Sequence, residues 1–517
     1  MFRLVALFVF ICFSFQFTVA QTNQWQQQVN YRIEVSLNDT AHTLTGFAQI
    51  AYYNNSPNEL PFLYFHLWPN AFKNQSTAFA KQQLENGSAR FYNSKSAERG
   101  YIDNLAFEAN GKALTWEYDK KHPDIAKITL HKPLKSGEQL VITTPFTVKI
   151  PESFSRLGHV GQSYQITQWY PKPAVYDAKG WHAMPYLDQG EFYSEFGSFE
   201  VSLTLPQNYV VGATGELQNP DEVAWLNEKV TQTEALIQSG KFDEKDLAFP
   251  PSSPQLKTIT FKQDSIHDFA WFADKRFHVL RDTIQLPRSA RKVTNWAMFT
   301  NQEAELWKKG AKYVADAVYF YSDKLGLYPY NHCTAVQSAL SAGAGMEYPM
   351  ITVIGQSGSA KSLEQVIVHE VGHNWFYGIL ATNERAFPWM DEGLNSYYEL
   401  RYFKEKYPDD KLLGKMANSG IARTFDVAHL KPVALQYYLY LFNARKNADQ
   451  AITLPSEDYT SLNYGGIVYG KTALVFAYLE TWLGTVNFDQ IMQEYYRRYS
   501  FKHPYPDDLR QTFTTKT

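Results

Sequence analysis

His369-Glu370-Val371-Gly372-His373 is the stretch from which the rest of the chain can be read. It lies inside a helical pattern over residues 362–377. Residues four apart on a helix share a face, so both imidazoles can point at one metal ion. Glu370 then projects beside the first ligand, toward the side where a water would sit. Two histidines and a glutamate also meet at this spacing by chance, so the rest of a metal site has to be found. A catalytic zinc takes three protein ligands and keeps a fourth position open. Downstream candidates for the third ligand are Glu384, Asp391, Glu392 and Glu399. Glu392 fits best: it follows His373 by 19 positions and begins a second helical pattern, residues 391–406. Glu384 sits in the polar connection Asn383-Glu384-Arg385 and reads as a solvated charge. Glu399 lies about two turns further along the second helix.

His-Glu-x-x-His followed by 18 residues and Glu resembles the aminopeptidase N family of zinc peptidases, the gluzincins, which includes leukotriene-hydrolase-type enzymes. Two further segments carry the resemblance. Gly343-Ala344-Gly345-Met346-Glu347 is similar to the family's Gly-x-Met-Glu-Asn motif, and Val468-Tyr469-Gly470-Lys471 to its Tyr-x-Lys segment. The resemblance implies an N-terminal antiparallel β-saddle domain followed by a mainly α, thermolysin-like catalytic domain. It implies one Zn2+ per chain on His369, His373 and Glu392, with Glu370 as general base and Tyr469 as the donor to the oxyanion. Glu347, flanked by Gly343 and Gly345, would hold the ammonium of a peptide's free N-terminus. Gln168, within Gln165-Ile166-Thr167-Gln168-Trp169-Tyr170-Pro171, would line the first specificity pocket.

The expected activity is removal of the N-terminal residue from peptides. The alternatives are a zinc endopeptidase on the same scaffold and a non-catalytic peptidase-like binding module. Tyr464, five residues before Tyr469, is the other candidate oxyanion donor. Two departures stand out. Tyr348-Pro349 replaces the family's Asn after the motif glutamate, which bears on substrate preference. The family's C-terminal helical domain is expected to be absent or truncated.

Working outward, the 517 residues divide by texture. Residues 4–17 form an uncharged apolar run after Arg3, and Thr18-Val19-Ala20 offers a small-x-small cleavage site. Residues 1–20 therefore read as a signal peptide that is cleaved on export to a periplasmic or extracellular space. No later stretch is apolar enough to span a membrane. Export without Cys12 leaves Cys333 with no cysteine to pair with, so it is expected to be a buried thiol.

Residues 21–285 have a β texture. Phe199, Val201 and Leu203 alternate with Glu200, Ser202 and Thr204, the period of a strand with one buried face. A helical stretch at residues 221–236 reads as a surface insertion. Residues 286–517 are mainly helical and constitute the expected peptidase domain. A capping box, Thr300-x-x-Glu303, predicts one long helix from there to Lys324. Further helical patterns run over residues 471–483 and 488–499, and Pro506-Asp507-Asp508-Leu509 reads as another helix start. Lys+Arg 49 against Asp+Glu 52 argues against a nucleic-acid binder, and an aromatic content of 16% excludes a disordered chain.

Overall fold

A computed structural model describes residues 25–240, 242–338 and 345–516. The expected export signal and Gly343 lie outside these described residues. The β texture of the first half forms a nine-stranded sheet and two four-stranded sheets. In the large sheet, strand Gln28–Asn38 lies between Thr43–Tyr53 and Gly197–Pro206. Its alternation puts Val29, Tyr31, Ile33, Val35 and Leu37 into the core. The antiparallel expectation fails at one pair: Gln28–Asn38 runs parallel to Gly197–Pro206, with Tyr31 opposite Phe199. The long intervening chain supplies the crossover that parallel pairing requires.

A five-stranded sheet begins the second half, in the order His278–Gln285, Lys292–Phe299, His332–Gln337, Ile351–Ile354, Gly345–Tyr348. The boundary drawn between residues 285 and 286 therefore cuts a hairpin, because His278–Gln285 pairs with Lys292–Phe299 along its whole length. The helical stretch near residue 221 is the helix Pro220–Ser239. It is no loose insertion: Thr233 Oγ1 accepts from the Val279 N–H at 3.0 Å, docking the helix on this sheet.

The capping box does not form. Thr300 Oγ1 donates to Gln337 Oε1 at 2.9 Å, and the Glu303 carboxylate accepts from the N–H groups of Ser357 and Gly358. With both side chains so engaged, the helix is split into Ala304–Trp307 and Gly310–Lys324.

Two helices define the centre of the second half. The motif helix, Ala360–Gly372, starts at an N-cap: Ser359 Oγ accepts from the Ser362 N–H at 3.1 Å. Its apolar face, Leu363, Ile367, Val368 and Val371, is fully buried. The second helix, Glu392–Lys406, packs across it. At their crossing, Asn395 Nδ2 donates to the His369 carbonyl at 2.7 Å and its Oδ1 accepts from Tyr321. A Cβ on Gly372 would lie 2.1 Å from Asn395 Oδ1, so only glycine permits this approach.

The chain then returns to the first half. His503 Nε2 lies 3.0 Å from Glu195, and the Tyr505 hydroxyl donates to Asp177 at 2.5 Å. Cys333 is buried, and burial pushes its thiol up to about 12. No described helix is long and apolar enough to cross a membrane.

Candidate metal centre and active site

His369 and His373 project from the last turn of the motif helix, and Glu392 from the first turn of the second. Their donor atoms converge. His373 Nε2 is 3.2 Å from His369 Nε2, and Glu392 Oε2 is 3.1 Å from the first ring and 3.3 Å from the second. Tetrahedral zinc with bonds of about 2.0–2.1 Å sets its ligands about 3.3 Å apart, so the three donors are spaced for that ion.

The far nitrogens are held as well. His373 Nδ1 lies 2.7 Å from Asp391 Oδ1, and His369 Nδ1 lies 2.9 Å from Glu399 Oε2. Each carboxylate fixes the ring and leaves Nε2 as the nitrogen facing the shared centre. Of the third-ligand candidates, Asp391 and Glu399 thus stand behind the histidines. Glu384 is not a solvated charge. It is 1% exposed, and burial raises its carboxyl well above the usual range, with Asp391 adding to the rise.

The electrostatics suit a cation. Burial opposes a charge on His369, yet Glu392 and Glu399 hold it up at about 10. Burial likewise opposes ionisation of Glu392, but His373 and His369 keep it well below the usual carboxylate range.

A cavity of about 440 Å³ opens on this cluster, lined by His369, Glu370, Glu392, Tyr469, Gly345 and Glu347. Glu370 borders the cavity, with Oε2 buried and unpartnered. Burial pushes its carboxyl up to about 7. A Cβ on Gly345 would lie 2.5 Å from Glu370 Oε1, so this glycine makes room for the carboxylate. Glu347 is buried on the neighbouring strand, with Oε1 also unpartnered.

Tyr469 donates its hydroxyl to Glu392 Oε1 at 2.6 Å, and its ring stacks 6.0 Å from that of His369. It sits on Tyr464–Lys471, which is wound as a π-helix. One π turn separates it from Tyr464, whose ring lies 5.9 Å away and whose hydroxyl is buried without a partner. π-helical turns of this kind cluster at functional sites. Periodicity reasoning missed this segment because it assumes 3.6 residues per turn.

The expectation for Gln168 is displaced. Gln165, not Gln168, lines the cavity. Gln165 belongs to the strand Ser163–Ile166, whereas Gln168 follows it in a left-handed conformation, φ 48°, and accepts from the Tyr348 hydroxyl at 3.1 Å. Tyr348, the departure from the family pattern, is thus turned away from the metal cluster.

Two lining residues were not anticipated. Arg156 pairs with Glu191 at 2.5 Å, and Glu191 Oε2 is another buried, unpartnered atom. No sequence motif marks either. A second hollow, of about 500 Å³, lies on the face of the large sheet. Within it Lys262 lies 2.9 Å from Glu200.

Comparison with known proteins follows the same lines. Residues 317–517 match the family model described as the peptidase family M1 domain. Leucine aminopeptidase 2-1 of Meyerozyma guilliermondii is 23% identical over 172 residues, which cover 31% of this chain and 24% of that protein. Human glutamyl aminopeptidase is 23% identical over 153 residues, 30% of this chain and 14% of that protein. The matches thus span a quarter or less of these relatives' length.

Over the whole fold, an M1 zinc metallopeptidase from Deinococcus radiodurans superposes with a TM-score of 0.58 at 15% identity, covering 95% of this chain and 90% of that one. A mutant two-domain M1 zinc metallopeptidase bound to L-arginine gives 0.60 at 15% identity, covering 95% and 91%. By its motifs, by the match of residues 317–517 and by its fold, the chain is similar to the aminopeptidase N-like gluzincins of peptidase family M1.

Proposed function

We propose that this chain is a zinc-dependent aminopeptidase that removes the N-terminal residue from peptides. The carrying observation is the buried Glu347 carboxylate, its Oε1 without a partner, in the cavity that His369, Glu370 and Glu392 also line. A buried carboxylate without a partner is costly unless a ligand supplies the cation. A peptide's terminal ammonium is such a cation.

His369, His373 and Glu392 would hold one zinc per chain. Bound there, zinc supplies Lewis acidity at the scissile carbonyl and a water of lowered pKa. Glu370 accepts the proton of the attacking water and delivers it to the departing amine. The Tyr469 hydroxyl donates to the carbonyl oxygen, where negative charge develops. Glu347 fixes the ammonium so that the first peptide bond is the one presented. The assignment of residues 1–20 as an export signal belongs to the same reading; the exported protein would begin at Gln21.

The test is a panel of fluorogenic aminoacyl substrates and their N-acetylated counterparts, with and without a chelator. Free-amine substrates should be cleaved, acetylated ones spared, and the chelator should abolish turnover. Equal cleavage of both kinds would show an endopeptidase instead. No turnover on any substrate, with zinc bound, would favour the binding module.

A further inference from the structure

Glu347 lies on Gly345–Tyr348, which among the described residues is an edge strand, hydrogen-bonded to Ile351–Ile354 alone. An edge strand of four residues is weakly held by its own sheet, so something else has to fix the direction of the carboxylate. Side chains alternate along a strand, so Tyr348 points the opposite way from Glu347, while Met346 borders the same cavity as Glu347. Met346 and Tyr348 are both reached by the N-terminal half. Arg156 Nε donates to Met346 Sδ at 3.2 Å, and the Tyr348 hydroxyl donates to Gln168 Oε1 at 3.1 Å.

The two anchors are themselves held by further hydrogen bonds. Arg156 also donates to the Leu187 and Asp188 carbonyls and to Glu191. Gln168 precedes a segment nailed into the core. The Trp169 indole donates to the Phe269 carbonyl at 3.0 Å, and the Tyr170 hydroxyl and Lys172 both bind Asp268 at 2.8 Å. Gln168 itself is left-handed at φ 48°, a conformation a non-glycine residue keeps only where its surroundings impose it. That strained residue is the one that meets Tyr348.

We propose that Tyr348 is a positioning residue for recognition of the substrate's ammonium: its hydrogen bond to Gln168 ties the Glu347 strand to the N-terminal half. This rests on the aminopeptidase reading above. Tyr348 does not touch substrate. Releasing it lets the Glu347 strand shift and its carboxylate hydrate, which weakens the grip on the ammonium. The proton transfers at Glu370 are left in place.

The experiment compares wild type, Tyr348→Phe, Gln168→Met and the double variant, all zinc-loaded, on an alanyl fluorogenic substrate. Zinc per chain and melting temperature are measured alongside. Tyr348→Phe keeps the ring packed 6.3 Å from Phe272 and removes only the hydroxyl. Loss of one buried hydrogen bond should raise KM about fivefold to tenfold. kcat should stay within about twofold, with zinc content unchanged. The double variant should be no worse than the poorer single one, because both break the same bond.

An unchanged KM in Tyr348→Phe, a fall in kcat at constant KM, or additive effects in the double variant would each overturn the proposal. If Gln168→Met does not fold, the KM-against-kcat split in Tyr348→Phe decides alone. Failure of the aminopeptidase reading shows separately, as wild-type cleavage of acetylated peptides.

Discussion

Tyr469 donates its hydroxyl to the very carboxylate, Glu392, that completes the histidine cluster, over 2.6 Å. The proposed oxyanion donor and the proposed third ligand are therefore one hydrogen-bonded unit, joining the π-helical turn to the second helix. Tyr469→Phe keeps the stacking on His369 and deletes the donor. kcat should fall roughly 10²–10³-fold with zinc retained and KM little changed. Near-normal turnover in this variant, with the loss appearing in Tyr464→Phe instead, would transfer the role to Tyr464.

Glu370 and Gly345 are coupled by space. Glu370→Gln preserves shape without a basic carboxylate, and turnover should drop by at least ~10²-fold while zinc stays bound. Gly345→Ala leaves the carboxylate chemistry intact but sets a methyl where Glu370 Oε1 lies only 2.5 Å away. Displacing the base by about 1 Å should cost on the order of 10²-fold, again without zinc loss. A fully active Gly345→Ala would show that Glu370 is free to sit elsewhere.

Glu384 read as a surface charge in the sequence, and its alanine variant would then be silent. Buried beside Asp391, which holds His373, it should not be. Glu384→Ala is expected to weaken zinc binding about tenfold, as removal of a group behind a metal ligand does. Chelator competition measures this directly, and an unaltered affinity would detach Glu384 from the metal centre.

His66 and His267 are buried neutral: burial, together with the Lys172 cation, pulls both down to about 3. Unfolding restores an ordinary pKa of about 6.5, so between those values the unfolded chain binds more protons. Their contribution to stability is complete above about pH 6.5 and is lost as pH falls toward 3. Between pH 7.5 and 5 each should cost about 2 kcal/mol. Urea unfolding of wild type and His267→Gln at both pH values checks the sign. The variant should lose less stability on acidification, and an equal loss would mean that His267 is not buried neutral.

The sequence by itself determined whatever depends on neighbours along one element. The spacing of His369 and His373 and the N-terminal placing of Glu392 follow from helical period, and the β texture of the first half from strand alternation. Tertiary structure decided what depends on groups distant in the chain. Asp391, Glu399 and Glu384 are three acidic residues of one short stretch, and nothing local separates a group holding an imidazole from a solvated one. Only the crossing of two helices assigns them.

Gln165 and Gln168 are three residues apart, and the end of a strand decides which one faces the cavity. Thr300 and Glu303 have the letters of a capping box, but Gln337 and the N–H groups of residues 357 and 358 bind them first. A side chain with several possible partners takes the one that folding brings within reach, and sequence spacing reports only those within a turn or two.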